Sequence, residues 1–291
     1  MNKNKTILVV DDTETNIDIL LGLLEGYDLV VAIDGISAIK IAQEEKIDLI
    51  LLDIMMPGID GYEVCKQLKQ KEDTKDIPII FITAKTDENS IEIAYDIGGV
   101  DYVTKPFKPK ELLARVKQQL EIRSLIENLE FLASRDPMTG ILNRRKFFEL
   151  SQKLFENDEL FAVMIDIDRF KKINDIYGHD IGDKVIIKVT NIINSYLEED
   201  EIFGRLGGEE FAIISIKPME EKIKKILKEI QEDVVLTNEN KEVKFTISSG
   251  IAKKDITTKN LDLLLKLADD NLYEAKELGR NRIVYRTKQK V

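Results

Sequence analysis

The chain has 291 residues, room for two domains at roughly 100–200 residues each, and 43% of them are apolar, too many for a disordered chain. A net charge of −11 excludes a bulk basic field for nucleic acid, and a lone cysteine, Cys65, excludes an intramolecular disulfide framework. Apolar runs such as Leu49 to Leu52 are too short to span a bilayer, and the basic start MNKNK with its four-residue apolar run reads as no signal peptide, so a soluble cytoplasmic protein engaging neither membrane nor nucleic acid is expected.

The first half alternates β-rich and amphipathic stretches. Candidate strands are Thr6–Val10, Leu29–Ala32, Asp48–Leu52, Pro78–Ile82 and Val100–Thr104, with helical patterns near 14–25, 36–45, 60–70, 88–97 and 109–120. Five β-then-α repeats predict an α/β domain over 1–120, with a parallel sheet covered by helices on both faces and ligands at the carboxyl ends of its strands.

The helical pattern that opens near Lys110 continues through Leu113, Val116, Leu120, Ile122, Leu125, Leu129 and Leu132, at coiled-coil spacing apart from a skip after Leu120. Two readings stand side by side for 121–135: a plain linker after the last helix, or a helical stalk that pairs two protomers. Asp136-Pro137 predicts its end.

Residues 136–291 form the second predicted domain, α+β with a mainly antiparallel sheet. Its candidate strands are Leu160–Ile167, Ile202–Leu206, Phe211–Ile216, Val243–Ile251 and Arg282–Tyr285, with helices near 143–155, 181–197, 219–232 and 261–277. Gly207-Gly208-Glu209-Glu210 makes a glycine-bearing hairpin turn between the second and third of these strands.

Three acids lie just past two strands of the first domain: Asp11, Asp12 and Asp53. Adjacent parallel strands would gather them, and three carboxylates in one pocket call for a hard cation such as Mg2+. Met55 could add a backbone carbonyl. Thr83 and Lys105 follow the fourth and fifth strands, and a hydroxyl and an ammonium beside metal-bound carboxylates suit a phosphoryl group on Asp53 as nucleophile. Lys105-Pro106 is a candidate cis step that aims the lysine inward. A single Asp at a strand end is ordinary structure; the five together are not.

In the second domain, Asp166 and Asp168 share a face of an apolar strand. If the glycine turn lies beside that strand, Asp166 and Glu209 meet and can hold a metal on a triphosphate. Alone, Asp-x-Asp reads as a solvated strand end and the glycine turn as an ordinary hairpin. His179, the one histidine, reads as a hydrogen-bonded structural group, with no second histidine or cysteine ligand near it.

These motifs carry two resemblances. Residues 5–120 resemble the receiver domain of two-component response regulators through Asp11, Asp12, Asp53, Thr83 and Lys105, with Tyr102 at the family's aromatic switch position. That resemblance implies a flavodoxin-like fold, phosphorylation of Asp53 by a partner histidine kinase, and a switch in which Thr83 moves inward and Tyr102 follows. Residues 130–287 resemble GGDEF diguanylate cyclases through Asp136-Pro137-Met138-Thr139-Gly140, Phe170-Lys171-Lys172-Ile173-Asn174, Gly178-His179-Asp180-Ile181-Gly182-Asp183, Gly207-Gly208-Glu209-Glu210-Phe211 and Gly279-Arg280-Asn281.

The second resemblance implies a palm-like nucleotidyl-cyclase fold and the joining of two GTP molecules into cyclic di-GMP by a homodimer. It implies metal (Mg2+, or Mn2+ in its place) on the Asp166 and Glu209 carboxylates and the Ile167 carbonyl. Glu209 would be the general base, assisted by Glu210. Asn174 and Asp183 would read guanine; Phe170 and Lys171 would lie beside the phosphates; Lys276 and Arg280, four apart on one helix face, would clamp them. One departure stands out: where most regulated members have Arg-x-x-Asp for product inhibition, this chain has Glu198 and Glu201, so no cyclic di-GMP is expected there. The rival readings are a non-catalytic GTP- or cyclic-di-GMP-binding module, against which the intact motifs argue, and a DNA-binding regulator, for which no helix-turn-helix or basic face is present.

Overall fold

The computed structural model describes residues 5–83 and 88–286, so the basic start at 1–4 lies outside the described residues. The chain divides into two compact units, Met1–Asn128 and Leu129–Val291.

The first unit runs β1 (Thr6–Val10), α1 (Glu14–Leu23), β2 (Asp28–Ala32), α2 (Gly35–Glu44), β3 (Leu49–Asp53), α3 (Gly61–Lys69), β4 (Ile79–Thr83), α4 (Glu88–Asp96) and β5 (Asp101–Thr104), then enters α5 (Pro109–Ser134). The sheet is parallel throughout, in the order β2-β1-β3-β4-β5. Its central strands are buried along their whole length, which is why β3 and β4 read as unbroken apolar runs. Alternate residues feed opposite faces. Leu8, Ile50, Leu52 and Phe81 pack on α2 and α3 through Ala38, Val64 and Leu68. Ile7, Val9, Leu51 and Ile80 meet Leu20 of α1 and Leu112 and Val116 of α5. Asp34 and Asp60 cap α2 and α3 by accepting from Ser37 N and Glu63 N.

Helix α5 is 26 residues long, and only Leu112, Val116 and Leu120 are buried along it. Beyond them Leu125, Leu129 and Leu132 stand 63%, 66% and 58% exposed.

The second unit contains β6 (Leu142–Asn143), α6 (Arg144–Leu154), β7 (Phe161–Ile167), α7 (Phe170–Tyr177), α8 (His179–Tyr196), β8 (Ile202–Gly207), β9 (Glu210–Ser215), α9 (Glu220–Glu232), β10 (Val234–Leu236), β11 (Glu242–Lys244), β12 (Ile247–Lys253), α10 (Leu261–Glu277) and β13 (Ile283–Tyr285). Its main sheet is mixed, ordered β13-β12-β7-β9-β8-β6, with the three central pairings antiparallel and both outermost pairings parallel. Helices α7, α8 and α9 cover one face, through Ile173, Val185 and Ile223 among others. Helices α6 and α10 cover the other, through Phe147, Leu264 and Ala268. Gly250 of β12 allows the α10 contact: a Cβ there would stand 2.1 Å from Ala268 O and Leu272 N.

Three expectations change. Residues 170–177 form a helix, which α8 follows after Gly178 at φ +86. The apolar stretch Val243–Ile251 is two strands, because Phe245 and Thr246 leave the β10–β11 ribbon before β12 joins the main sheet. Arg280 does not continue the helix of Lys276. That helix, α10, ends at Glu277, and Gly279 (φ +118), Arg280 (φ 65) and Asn281 (φ 49) turn left-handed, with Arg280 N donating to Ala275 O.

Candidate functional site

In the first unit, strand order does the gathering. Asp11 follows β1, Asp53 ends β3 beside it, Thr83 ends β4, and Lys105 follows β5, so residues far apart in sequence sit at neighbouring carboxyl ends. Asp11 and Asp53 are buried, Asp12 is exposed, and ligand oxygens of the three lie within 4.8 Å of one another, the one such acidic group among the described residues. Their hard oxygen chemistry and spacing fit Mg2+.

The Lys105 Nζ lies 2.8 Å from Asp11 Oδ2 and 2.7 Å from Asp53 Oδ2, and the Lys105–Pro106 peptide is cis. Burial pushes the Asp53 carboxyl above its ordinary range, against the pull of Lys105. Burial also disfavours the Lys105 charge, but the hydrogen bonds and charges of Asp11 and Asp53 outweigh it and hold the ammonium above its usual range. Asn16 Nδ2 and Thr13 N donate to Asp11 and hold its carboxylate, a local support the motif reading missed. Met55 N donates to Asp53 Oδ1 at 3.3 Å. Tyr102 lies half-buried on β5, edge-on to Tyr95 at 6.3 Å, with the Arg115 guanidinium 5.7 Å from its ring centre.

In the second unit the site forms at the end of β7. Asp166 pairs with Glu210 in the β7–β9 register, and Ile167 N donates to Glu209 O at 3.3 Å, so the glycine turn does lie against the strand. Asp166 is buried, and its Oδ2 lies 2.8 Å from Lys276 Nζ of α10. Burial, helped by the charges of Glu209 and Glu210, pushes the Asp166 carboxyl up to about 6 despite Lys276. A buried carboxylate with two acidic neighbours favours positive charge beside it, and the Lys276 ammonium supplies one.

The turn itself is braced. Gly208 is left-handed at φ +41, a conformation costly for any residue with a Cβ, and Arg205 donates twice to its carbonyl at 2.9 and 2.7 Å. Arg205 also bonds Asp136 Oδ1 at 3.0 Å, which ties the Asp136-Pro137 segment to the turn.

Asp168 is the residue whose part the sequence obscured. Its carboxylate accepts from Ser248 Oγ at 2.6 Å, Thr246 Oγ1 at 2.7 Å and Asn281 N at 2.9 Å. It is therefore spent on fastening the left-handed turn that carries Arg280 to the end of β7. A polar residue one step past the strand, with hydroxyls at 246 and 248, was the only sequence signal.

Phe170 and Lys171 begin α7, with Phe170 buried and Lys171 exposed; Asp183 is exposed on α8. Asn174 Oδ1 is buried and accepts no hydrogen bond from the protein. Gly182 allows this: a Cβ there would stand 1.9 Å from Asn174 Oδ1 and 3.1 Å from Phe170 Cζ. His179 opens α8 in an exposed position.

At 198–201 three of the four acids, Glu198, Asp200 and Glu201, are paired. Lys222 Nζ lies 2.6 Å from Glu201 and 3.3 Å from Glu198, and Lys217 Nζ lies 3.1 Å from Asp200.

Comparison with known proteins matches residues 133–282 to the family described as diguanylate cyclase, GGDEF domain, and residues 7–117 to the response regulator receiver domain. The chain is 30% identical over 295 residues to response regulator PleD of Caulobacter vibrioides, an alignment covering 96% of this chain and 65% of the relative. It is 43% identical over 163 residues to the probable diguanylate cyclase DgcT of Escherichia coli, covering 53% of this chain and 36% of the relative. The chain thus spans less than two thirds of the length of these relatives. The crystal structure of the coiled coil and GGDEF domain of DgcB from Caulobacter crescentus, in complex with c-di-GMP, superposes with a TM-score of 0.55 at 26% identity, covering 61% of this chain and 98% of that one.

Proposed function

Because the chain belongs to the GGDEF diguanylate cyclase family and carries a response regulator receiver domain ahead of the cyclase domain, we propose that it condenses two GTP into cyclic di-GMP and two pyrophosphates under control of phosphorylation at Asp53. The observation that carries the reading is the convergence of Asp166, Lys276 and the Gly207–Glu210 turn at the end of β7.

In this reading Asn174 and Asp183 pair with the guanine edge, and the buried, unsatisfied Asn174 Oδ1 supports that. Phe170, Lys171, Lys276 and Arg280 take the phosphates. Glu209 accepts the proton of a 3′-hydroxyl whose oxygen attacks the α-phosphorus of the GTP on a second copy. The bond from that phosphorus to its bridging oxygen breaks, and pyrophosphate leaves. Glu210 assists at the metal site. Mg2+ (or Mn2+), held by Asp166, Glu209 and the Ile167 carbonyl, would supply Lewis acidity and charge neutralisation.

In the receiver, Asp53 is the phosphoacceptor for a histidine kinase, and Asp11, Asp12, Asp53 and the Met55 carbonyl would hold Mg2+. Lys105 neutralises the phosphoryl oxygens, and Thr83 and Tyr102 respond to them. The exposed apolar stripe of Leu125, Leu129 and Leu132 on α5 supports pairing with a second copy, which bond formation between two half-sites requires. Among the described residues no helix is long and apolar enough to cross a membrane.

The ion pairs of Glu198 and Glu201 with Lys217 and Lys222 support the absence of product inhibition there, since the acids are already neutralised from within. Incubation with GTP and Mg2+, with and without beryllofluoride, followed by chromatography of the nucleotides, tests the assignment. Cyclic di-GMP should form, faster with beryllofluoride; GTP left intact in both arms refutes it.

A further inference from the structure

The two carboxylates at the end of β7 are satisfied in opposite ways. Asp168 accepts three hydrogen bonds, from two hydroxyls and a backbone amide that the fold holds in place. Asp166 is as deeply buried, 7% exposed against 6%. Among the described residues its carboxylate has one polar partner, the Lys276 ammonium 2.8 Å from Oδ2. A buried carboxylate stripped of its partner is costly, so the whole of that neutralisation falls on Lys276. The lysine itself is lightly held. It sits in the last turn of α10, its side chain is 30% exposed, and among the described residues Asp166 is its one ion-pair partner. A four-carbon stem lets such a head swing to another anion while the helix stays still.

The first unit supplies the contrast. There Lys105 also reaches two acids, yet Asp11, Asp12 and Asp53 bring ligand oxygens within 4.8 Å of one another. Among the described residues Asp166, Glu209 and Glu210 form no such group, although Asp166 and Glu210 face each other in the β7–β9 register. Glu209 is half-buried and Glu210 exposed, so neither is drawn in beside Asp166. An ammonium in contact with Asp166 and a divalent ion on the same carboxylate repel at close range, so each excludes the other.

We propose that Lys276 is an exchangeable counter-ion that keeps divalent metal off Asp166 until a nucleotide arrives. The polyphosphate draws the ammonium away, and the carboxylate it leaves is then free to accept metal that enters with the nucleotide. Mg2+ suits that order, since it is commonly held by one or two carboxylates together with substrate phosphates. The receiver acids, already gathered, take metal without nucleotide. The exclusion stands on the ion pair alone; the part played by the phosphates rests on the cyclase reading.

The test is water-proton relaxation by Mn2+ bound to the full chain, with Asp12→Asn/Asp53→Asn in every protein to remove the receiver's metal. Without nucleotide, Lys276→Met and Lys276→Gln should each bind Mn2+ about tenfold or more tightly than the parent, and Lys276→Arg, which keeps the cation, should match the parent. Adding Asp166→Asn to Lys276→Met should abolish the gain. In the parent, Mn2+ complexed with the α,β-methylene analogue of GTP should give the bound-ion signal that Mn2+ alone does not. A gain of binding cannot come from a variant that fails to fold, and a melting midpoint equal to the parent's qualifies a variant that shows none. Parent affinity within about threefold of both neutral variants overturns the proposal, and so does a gain that survives Asp166→Asn. Cyclic di-GMP synthesis by the unsubstituted chain alongside equal Mn2+ affinities sinks this proposal alone. Lysine-dependent exclusion without synthesis sinks the cyclase reading alone.

Discussion

Gly182→Ala sets two effects of known sign against each other. The glycine lies inside α8, where alanine is favoured by about 1 kcal/mol. Its added methyl, however, would sit 1.9 Å from Asn174 Oδ1 and 3.0 Å from Cγ, so the carboxamide must leave its place. Overpacking of that kind costs about 1–3 kcal/mol, which outweighs the helix gain and gives a net loss of up to about 2 kcal/mol. In an Asn174→Ala background the obstructing amide is gone. The remaining contact at 3.1 Å, with the Phe170 ring, needs only a small adjustment, and the same substitution should now stabilise by about 0.5–1 kcal/mol. Its sign therefore reverses between backgrounds, which a double-mutant cycle of urea denaturation reads directly. In turnover, Gly182→Ala should lower kcat/KM for GTP by roughly 5- to 150-fold, the 1–3 kcal/mol of a buried polar group left unpaired. It should cause no further loss in the Asn174→Ala background. Additive stability effects, or an unchanged kcat/KM in the single variant, would show that Gly182 does not hold Asn174 in the position proposed for reading guanine.

Asp53→Asn should abolish the response to beryllofluoride while leaving the unstimulated cyclic di-GMP rate within about twofold, since the cyclase residues lie in the other unit; a retained response, followed by nucleotide chromatography, counts against Asp53 as acceptor. Cys65 is fully buried and burial pushes its thiol up to about 11, so iodoacetamide at pH 8 should leave it unlabelled by mass spectrometry until the first unit unfolds. Burial opposes ionisation of Asp136, but its bonds to Thr139 and Arg205 hold the carboxyl below its ordinary 3.8. The carboxylate therefore stabilises at neutral pH, and that contribution is lost as pH falls through the depressed value. Asp136→Asn should cost about 1–2 kcal/mol at pH 7, a penalty that shrinks under acid; a pH-independent penalty in melting curves contradicts the assignment. Gly250→Ala drives a methyl to 2.1 Å from the α10 backbone and should cost more than about 3 kcal/mol, unfolding the second unit well before the first in calorimetry.

Much of the architecture was legible from local pattern. Fully apolar runs named the buried parallel strands β3 and β4, and acids one step past β1 and at the end of β3 named a cation site. Two glycines followed by two glutamates named the turn beside β7. Such signals span a few residues, because side-chain alternation, helix period and turn chemistry are properties of neighbouring dihedrals. The pattern failed where a boundary depended on packing: Arg280 sits four residues after Lys276 as a helix would require, yet Gly279 ends the helix between them.

The sequence by itself determined the strands of the first unit, the glycine turn of the second and the cast of charged residues. Tertiary structure alone decided which of them meet. Lys105 reaches Asp11 across 94 residues of chain, and Asn281 reaches Asp168 across 113. The lysines that neutralise Glu198 and Glu201 and the seat of Asn174 over Gly182 have no local signature either. Those contacts follow from strand order and from the volume left between packed elements, and neither quantity has a period that a linear reading can detect.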